Sequence, residues 1–228
     1  MKRIYIADDE KSIRDIISSF LRNSNYDVEC FEDGNSLWEC FEKQSSDMVI
    51  LDVMMPGIDG FELCTKIRRK SNVPIIMVSA KDTEMDRITG ITMGADDYMV
   101  KPFSPMELVV RVNGIFRRFE SFFEEKSKKS LEFGDIYMDL NMKTCVINED
   151  NLDLTPTEFA LLGYLIENSI RAVSREELLK NIWKLTFETD TRATDDVLKR
   201  LRKKLQKSNV RIKAVWGFGF KLEIEENI

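Results

Sequence analysis

The sequence predicts two domains, the first of the α/β class with a doubly wound, five-stranded parallel sheet and the second of the α+β class. Residues 1–119 alternate short apolar runs with amphipathic stretches, which is the pattern of strands and helices in a parallel sheet covered on both faces. Residues 120–130 are highly charged and have no clear apolar period. Residues 131–228 begin and end with short alternating segments that enclose helix-like ones, so we expect a second fold there.

In the first domain, five apolar runs predict strands and five amphipathic segments predict helices. The predicted strands are Arg3–Ala7, Tyr26–Phe31, Met48–Leu51, Pro74–Ser79 and Tyr98–Val100. The predicted helices are 10–24, 34–44, 58–70, 83–93 and 104–119. Right-handed crossovers make such a sheet doubly wound. We interpret residues 120–130 as the end of the last helix followed by a linker.

The second domain is predicted to have antiparallel strands in LEFGDIYMDL and KTCVINEDNLDL, then three helices and a terminal hairpin. Thr155 and Glu158 have the spacing of a capping box, with Pro156 at the first helical position. The predicted helices are Thr155–Glu167, Ser174–Trp183 and about Arg192–Lys207. The glycines in VRIKAVWGFGFKLEI predict the hairpin turn.

Composition excludes several classes of chemistry. The chain has no histidine, which rules out histidine metal sites, Ser-His or Cys-His catalysis and a histidine phosphocarrier step within the chain. The four cysteines show no CxxC spacing, so we expect reduced packing residues of a cytosolic protein. No apolar run reaches the ~18 residues of a membrane span, and the N-terminus lacks a signal peptide. The predicted location is therefore the cytoplasm, without membrane attachment.

Charge is distributed unevenly along the chain. Residues 1–126 contain 23 acidic and 17 basic residues, whereas residues 127–228 contain 17 of each. Within the second half, residues 199–213 carry eight bases and no acid. An acidic first domain and a locally basic second one indicate different partners for the two domains.

Polar residues follow the apolar runs at the ends where a parallel sheet binds ligands. Asp8 and Asp9 follow the first run, Asp52 the third, Ser79 the fourth and Lys101 the fifth. Three carboxylates that converge repel one another, and a hard cation such as Mg²⁺ resolves the repulsion. Taken singly, the first pair could cap a helix, Ser79 could end an ordinary strand and Lys101 could lie in a solvated turn.

Mg²⁺ and Lys101 would both stabilise charge on a transferring phosphoryl group. Asp52 is then the predicted nucleophile, which becomes an aspartyl phosphate. Ser79 could donate a hydrogen bond to a phosphoryl oxygen.

The motifs LDVMMPGIDG, VSA and GADDYMVKPFSPMELVVRV, with the early DD pair, resemble the receiver domain of response regulators over residues 1–119. The resemblance implies a flavodoxin-like fold. It also implies that Asp9 and Asp52 bind Mg²⁺ directly together with the backbone carbonyl of Met54, and that Asp8 acts largely through water.

The same resemblance assigns roles near the last two strands. Lys101 would contact the phosphoryl group, and the Lys101–Pro102 peptide bond would be cis. Ser79 and Tyr98 would form a switch pair, in which Ser79 moves toward the phosphoryl group and Tyr98 turns inward behind it.

In the last predicted helix, Leu198, Leu201 and Leu205 recur at helical spacing and should face the core, while most of the bases lie elsewhere. The segments LTPTEFALLGYLIEN, VSREELLKNIW, DTRATDDVLKRLRKKL and VWGFGFKLE resemble the winged helix-turn-helix DNA-binding domain of OmpR/PhoB-type regulators over about 131–224. The resemblance implies a two-component transcription factor that a sensor histidine kinase phosphorylates and that is not itself an enzyme.

The candidate DNA contacts follow from this resemblance. Candidate base-reading residues are Arg192, Thr194, Asp196, Val197 and Arg200, and candidate phosphate contacts are Lys199, Lys203 and Lys204. Val197 could contact a thymine methyl group. Trp216 stands where many relatives carry a wing arginine, so either it packs under the wing or the wing contacts DNA differently. Residues 184–190 would form the loop that meets RNA polymerase.

Activated receivers of this family form homodimers, and the resemblance implies ion pairs across the two-fold axis. The matching pairs here are Arg87 with Glu107 and Asp97 with Arg111. A third family pair maps onto the neutral residues Thr92 and Asn113, so we expect dimerisation that is weaker or less selective by charge. The DNA half-sites would lie ~10–11 base pairs apart.

Two other functions are open to the sequence. An aspartyl-phosphate enzyme such as a phosphatase is disfavoured, because Met54 stands where a second catalytic carboxylate would follow Asp52. A DNA-binding protein with a vestigial receiver is disfavoured by the complete set of site residues. A nucleotide-binding Rossmann domain fails because neither of its glycine motifs occurs.

Overall fold

The computed structural model describes residues 1–80, 93–124, 130–183 and 192–225. The chain divides into two compact units, Met1–Asn113 and Gly114–Ile228. Within the described ranges, no helix has the length and apolar character needed to cross a membrane.

The first unit contains a five-stranded parallel sheet, as predicted, with the strand order β2-β1-β3-β4-β5. Its strands are β1 Arg3–Ala7, β2 Asp27–Phe31, β3 Met48–Asp52, β4 Ile75–Ser79 and β5 Asp97–Val100. All residues of β3 and β4 are buried, which explains why both strands read as nearly continuous apolar runs. The winding reverses between β1 and β3, so the carboxyl ends of these two strands define the ligand-binding edge.

Helices lie between these strands and after the last one. They are α1 Lys11–Asn23, α2 Gly34–Lys43, α3 Gly60–Arg68 and α4 Pro105–Glu124. Local capping fixes two of the starts, since Asp33 accepts a hydrogen bond from the Ser36 amide and Asp59 accepts one from the Glu62 amide. The helix predicted at 83–93 falls almost wholly on residues 81–92, outside the described part of the chain.

Helix α4 continues to Glu124, five residues beyond the predicted end of the first domain at 119. The next strand begins at Ser130. Residues 120–124 are therefore helical, as the end-of-helix interpretation required, and residues 125–129 of the predicted linker lie outside the described ranges.

The second unit begins with a four-stranded antiparallel sheet in the order β6-β7-β8-β9. Three helices and a hairpin follow, as predicted. The strands are β6 Ser130–Phe133, β7 Ile136–Asp139, β8 Thr144–Ile147, β9 Asp150–Asn151, β10 Val210–Val215 and β11 Gly219–Ile224. The helices are α5 Pro156–Glu167, α6 Arg175–Leu178, which continues as a π-helical turn over Leu179–Trp183, and α7 Arg192–Lys204, which continues as a 3₁₀ turn over Leu205–Lys207.

Two of the three predicted helices in this unit have a capped start. The side chain of Thr155 accepts from the Glu158 amide and the Glu158 carboxylate accepts from the Thr155 amide, which is a complete capping box. Ser174 accepts a hydrogen bond from the Glu177 amide at the start of α6. This four-stranded sheet, three-helix and hairpin order is that of a winged-helix domain.

Candidate functional site

The polar residues predicted from the strand ends meet at one edge of the sheet. Asp8 and Asp9 follow β1, and Asp52 is the last residue of β3. One carboxylate oxygen from each of the three lies within 4.8 Å of the others. Asp8 and Asp52 are buried, whereas Asp9 is exposed. The sheet therefore brings three acidic groups close enough together to bind a single cation.

Lys101, which follows β5, supplies the positive charge of this cluster. Its Nζ atom lies 2.8 Å from Oδ2 of Asp8 and 3.3 Å from Oδ2 of Asp52. The backbone positions the side chain, because the Lys101 amide donates to the Ser79 carbonyl at the end of β4. The peptide bond between Lys101 and Pro102 is cis, as the resemblance implied.

Burial and the opposing charge of Lys101 dominate the electrostatics of the cluster. Burial raises the pKa of Asp52 to about 6; Lys101 opposes this shift and the nearby Asp8 charge adds to it. Burial also raises the pKa of Asp8. Burial lowers the pKa of Lys101, but its hydrogen bonds and charge interactions with Asp8 and Asp52 outweigh that effect, so the pKa is raised overall.

The donor set fits a hard divalent cation. Oδ1 of Asp52 is buried and has no hydrogen-bond partner among the described residues, which is costly for a carboxylate oxygen without another ligand. Carboxylate oxygens are the ligands that Mg²⁺ prefers. Met54 lines a surface cleft of about 500 Å³ together with Asp9, so it borders the same space.

Two glycines explain the sequence PGIDG after β3. Gly57 has a φ of +78°, a backbone conformation that favours glycine. A Cβ on Gly60 would lie 2.2 Å from the carbonyl oxygen of Asp52. Helix α3 can thus begin directly against the backbone that carries the Asp52 side chain.

The residues predicted to form a switch pair lie on the neighbouring strands. Ser79 is fully buried at the end of β4, and Tyr98 on β5 is only 4% exposed. Both side chains are therefore packed inside the fold at the ends of these strands. The movement of Ser79 and Tyr98 that the resemblance implied stays a prediction.

The residues predicted at the dimer interface form a network inside one chain. Nη1 of Arg111 lies 2.9 Å from both carboxylate oxygens of Asp97, and Nη2 lies 2.8 Å from Glu107. Asp97 and Arg111 thus pair within one chain, and their pairing across a two-fold axis stays a prediction. The other predicted partners, Arg87 and Thr92, lie outside the described residues.

Asn113, the second neutral position at the predicted interface, accepts a hydrogen bond of 2.6 Å from the Tyr26 hydroxyl. The side-chain oxygen of Asn113 therefore has a hydrogen-bond partner within its own chain.

Two candidate DNA contacts on helix α7 are buried. Leu198, Leu201 and Leu205 are buried as predicted, but Thr194 and Val197 are fully buried as well. A side chain without exposed surface does not reach a base edge, so the predicted base contacts of these two residues, including the Val197 contact with a thymine methyl group, are not supported.

Arg200 and Lys204 pair with helix α5, although 31% of the Lys204 side chain stays exposed. Nε of Arg200 lies 3.2 Å from Oε1 of Glu158, and Nζ of Lys204 lies 2.7 Å from Oε2. Lys204 also donates to the Asp153 carbonyl. The sequence identified Glu158 only as a capping residue. Its ion pairs were missed, because the helical period does not show which residues of another helix lie opposite it.

The other candidate DNA contacts are placed as follows. Lys199 and Lys203 are exposed on α7. The side chains of Arg192 and Asp196 and the predicted polymerase loop at 184–190 lie outside the described part of the molecule. Trp216 is 97% exposed, which excludes the alternative that it packs under the wing.

Comparison with known proteins follows the same division of the chain. Residues 4–113 match the family described as response regulator receiver domain, and residues 149–222 match the family described as transcriptional regulatory protein, C terminal. Regulatory protein VanR of Enterococcus faecium is 41% identical over 227 residues, which cover 97% of this chain and 98% of that protein. The chain belongs to the response regulators of the OmpR/PhoB type.

Other proteins are similar to this response regulator along nearly its whole length. Sensory transduction protein RegX3 of Mycobacterium tuberculosis is 36% identical over 226 residues, covering 98% of this chain and 100% of that one. The structure of a RitR mutant has a TM-score of 0.77 and 25% identity, with 99% of this chain and 100% of that chain covered. DrrB, described as a Thermotoga maritima OmpR/PhoB homolog, has a TM-score of 0.51, 31% identity and the same coverage.

The family establishes the general function of the response regulator. It is a phosphorylation-activated, DNA-binding transcription regulator of a two-component system, not an enzyme. The predicted fold and function are confirmed, and the alternative of an aspartyl-phosphate enzyme is rejected.

Proposed function

We propose that Asp52 is the phosphoacceptor of this response regulator and that a partner sensor histidine kinase supplies the phosphoryl group. The observation that carries the proposal is the environment of its side chain. Asp52 is buried beside two further carboxylates, 3.3 Å from Lys101, and its second oxygen has no partner among the described residues. A carboxylate held in this way is suited to attack phosphorus and to keep the product beside a positive charge.

Asp8, Asp9 and Asp52, with the backbone carbonyl of Met54, would hold Mg²⁺. When bound, the ion supplies positive charge that screens the attacking carboxylate from the phosphoryl oxygens. Lys101 contributes from the other side, since it already bridges Asp8 and Asp52. A phosphoryl group on Asp52 would draw Lys101 toward its own oxygens and away from Asp8.

The switch would then pass through the ends of β4 and β5. Phosphorylation adds about −1.5 to −2 charges and new acceptor oxygens. Ser79 would move toward these oxygens, and Tyr98 would hold its buried position behind it. The surface around β5 and α4 would repack, which favours a homodimer in the cytoplasm.

The second domain would bind promoter DNA. Lys199 and Lys203 are exposed on α7 and would contact phosphates, with Arg192 and Asp196 as candidate base-reading residues. Contact with RNA polymerase through residues 184–190 rests on family resemblance alone.

Recovery of genomic DNA fragments tests the phosphate control directly. The full-length protein is incubated with Mg²⁺, a small phosphodonor and sheared genomic DNA, beside Asp52→Ala and the control Glu39→Ala, which removes an exposed carboxylate on α2. We expect the wild type and the control to enrich a repeated half-site and Asp52→Ala to enrich it at least tenfold less. Equal enrichment by all three proteins would show that DNA binding does not depend on phosphorylation of Asp52. The receiver would then be vestigial.

A further inference from the structure

The turn between β10 and β11, residues 216–218, carries two large aromatic side chains in solvent. Trp216 is 97% exposed and Phe218 is 70% exposed. We call these three residues the wing tip. An aromatic side chain contributes 150–250 Å² of surface when it is buried, and adjacent exposed aromatic groups mark interaction sites more often than isolated ones do. The wing tip is therefore a candidate interaction site.

The hairpin beneath the wing tip is firmly held. Phe220 is buried, and its backbone exchanges two hydrogen bonds with Val173, of 2.8 and 2.9 Å. The Arg175 guanidinium carbon lies 4.7 Å from the centre of the Phe220 ring. Gly219 permits this packing, because a Cβ there would lie 1.9 Å from the Val173 carbonyl oxygen. The aromatic groups are thus carried on a fixed arm, which lowers the entropy lost when they bind.

The charge beside the wing tip indicates what the partner is. Lys213 and Lys221 are directly opposite each other on β10 and β11, and like charges in that position destabilise a strand pair. Glu225 lies 3.0 Å from Lys213 and offsets part of this repulsion. The hairpin itself carries Arg211, Lys213 and Lys221 and has no acidic residue between positions 210 and 222. Aromatic groups framed by bases fit a nucleic acid better than a protein or a second copy of this basic surface.

We propose that the wing tip enters the minor groove of the bound DNA and that Trp216 wedges between two base pairs, which unstacks them and kinks the duplex. This inference rests on the DNA-binding function proposed above. An aromatic wedge makes no base-specific hydrogen bond, so it selects for base steps that open easily. Pyrimidine–purine steps, which are the most readily kinked, are therefore the expected target at this part of each half-site.

An arginine at this position would be attracted by the negative potential of a narrow minor groove, whereas Trp216 would favour base steps that deform easily. Phe218 lies on the other side of Gly217, which has open space around it and a φ of +77°. It would shield the opened step from water.

The test uses duplexes selected from a random-sequence library by the full-length wild type with Mg²⁺ and a phosphodonor. The fluorescent base 2-aminopurine is placed at each position of the selected half-site in turn, and bending is measured on circularly permuted fragments. The proteins compared are the wild type, Trp216→Ala, Trp216→Arg and the control Ile170→Ala, which removes a 91% exposed apolar side chain from the same domain.

We expect the 2-aminopurine fluorescence at one base step to increase with the wild type and with Ile170→Ala, and to stay low with both Trp216 variants. Trp216→Ala should also bind roughly 10-fold more weakly, as loss of one stacking contact predicts, and bend the DNA less. If the wild type binds without any step brightening, or if Trp216→Ala brightens the same step, the wedge is refuted while DNA binding stands. If Trp216→Ala changes only self-association on DNA, the wing tip is a protein contact. Failure of the wild type to select any duplex would overturn both proposals.

Discussion

Glu158 should be important for the stability of the second domain. It is 1% exposed, it completes the capping box of α5, and it pairs with both Arg200 and Lys204 of α7. Glu158→Gln leaves two cations opposite a neutral group, so we expect a loss of about 3 kcal/mol, at the low end for a broken buried pair. Hydrogen exchange of α5 and α7 in the full-length chain measures the loss. The exposed control Glu132→Gln should leave exchange in both helices unchanged, and equal protection in Glu158→Gln would contradict the assignment.

Glu177 should make the second domain sensitive to acid. Hydrogen bonds from Arg171 and, secondarily, Tyr164 lower its pKa from 4.5 to about 2. A carboxylate whose folded pKa is depressed stabilises the fold above its unfolded pKa, and this stabilisation is lost as pH falls from about 4.5 to about 2. Wild type should therefore be more stable than Glu177→Gln at pH 7, and the difference should vanish near pH 2. A difference in unfolding temperature that is independent of pH over this range would count against the ion pair.

At the residue scale, the sequence predicted the site best where the connectivity of the strands fixes the positions of the side chains. Asp8, Asp9, Asp52 and Lys101 could be grouped because parallel strands bring their carboxyl ends to one edge. Val197 was misjudged for a different reason. The helical period identifies the buried face of α7 that is centred on its leucines. It does not show how wide this face is, because the width depends on how other elements pack against the helix.

At the scale of elements, the wing offers a matched pair of glycines. Gly219 and Gly217 both have positive φ, but only a Cβ at Gly219 would meet another backbone, the Val173 carbonyl at 1.9 Å. Gly219→Ala should therefore separate the wing from Val173 and weaken DNA binding at least tenfold. Gly217→Ala should cost only the conformational penalty of about 1–2 kcal/mol. Hydrogen exchange at the Phe220 amide distinguishes them, and similar protection in both variants would show that contact with Val173 does not hold the wing.

Element boundaries were predictable where a local signal marks them. The capping residues Ser174 and Thr155 and the glycines of the wing each act within a few positions, so the helices and the hairpin were located correctly. The end of α4 has no such signal. Residues 120–124 lack an apolar period, yet the helix continues through them.

For the whole molecule, the network around Arg111 links dimerisation to the stability of a single chain. Asp97 is buried and shares Arg111 with the half-exposed Glu107. Arg111→Gln should thus destabilise the receiver by about 3 kcal/mol, because it leaves a buried carboxylate without its cation. Glu107→Gln should change its stability by ~1 kcal/mol at most.

Two measurements separate these effects. Sedimentation of the phosphorylated proteins reports dimerisation, and hydrogen exchange of β5 and α4 reports stability. If Arg111→Gln weakened the dimer with normal protection of both elements, the pair would act between chains, as the sequence suggested. The sequence could not decide between the two arrangements, because opposite charges attract equally well within one chain and between two.

The pairing of Arg200 and Lys204 with Glu158 also determines how many salt ions leave when DNA binds. Each phosphate that a base neutralises releases condensed counterions and adds about 0.9 to the slope of log affinity against log salt. The single carboxylate of Glu158 offsets one of the two positive charges on Arg200 and Lys204. The slope per protomer should therefore be lower by roughly one than a count of the bases on α7 suggests. Glu158→Gln, where it remains folded, should make binding steeper in salt, and an unchanged slope would mean that DNA draws both side chains away from the carboxylate.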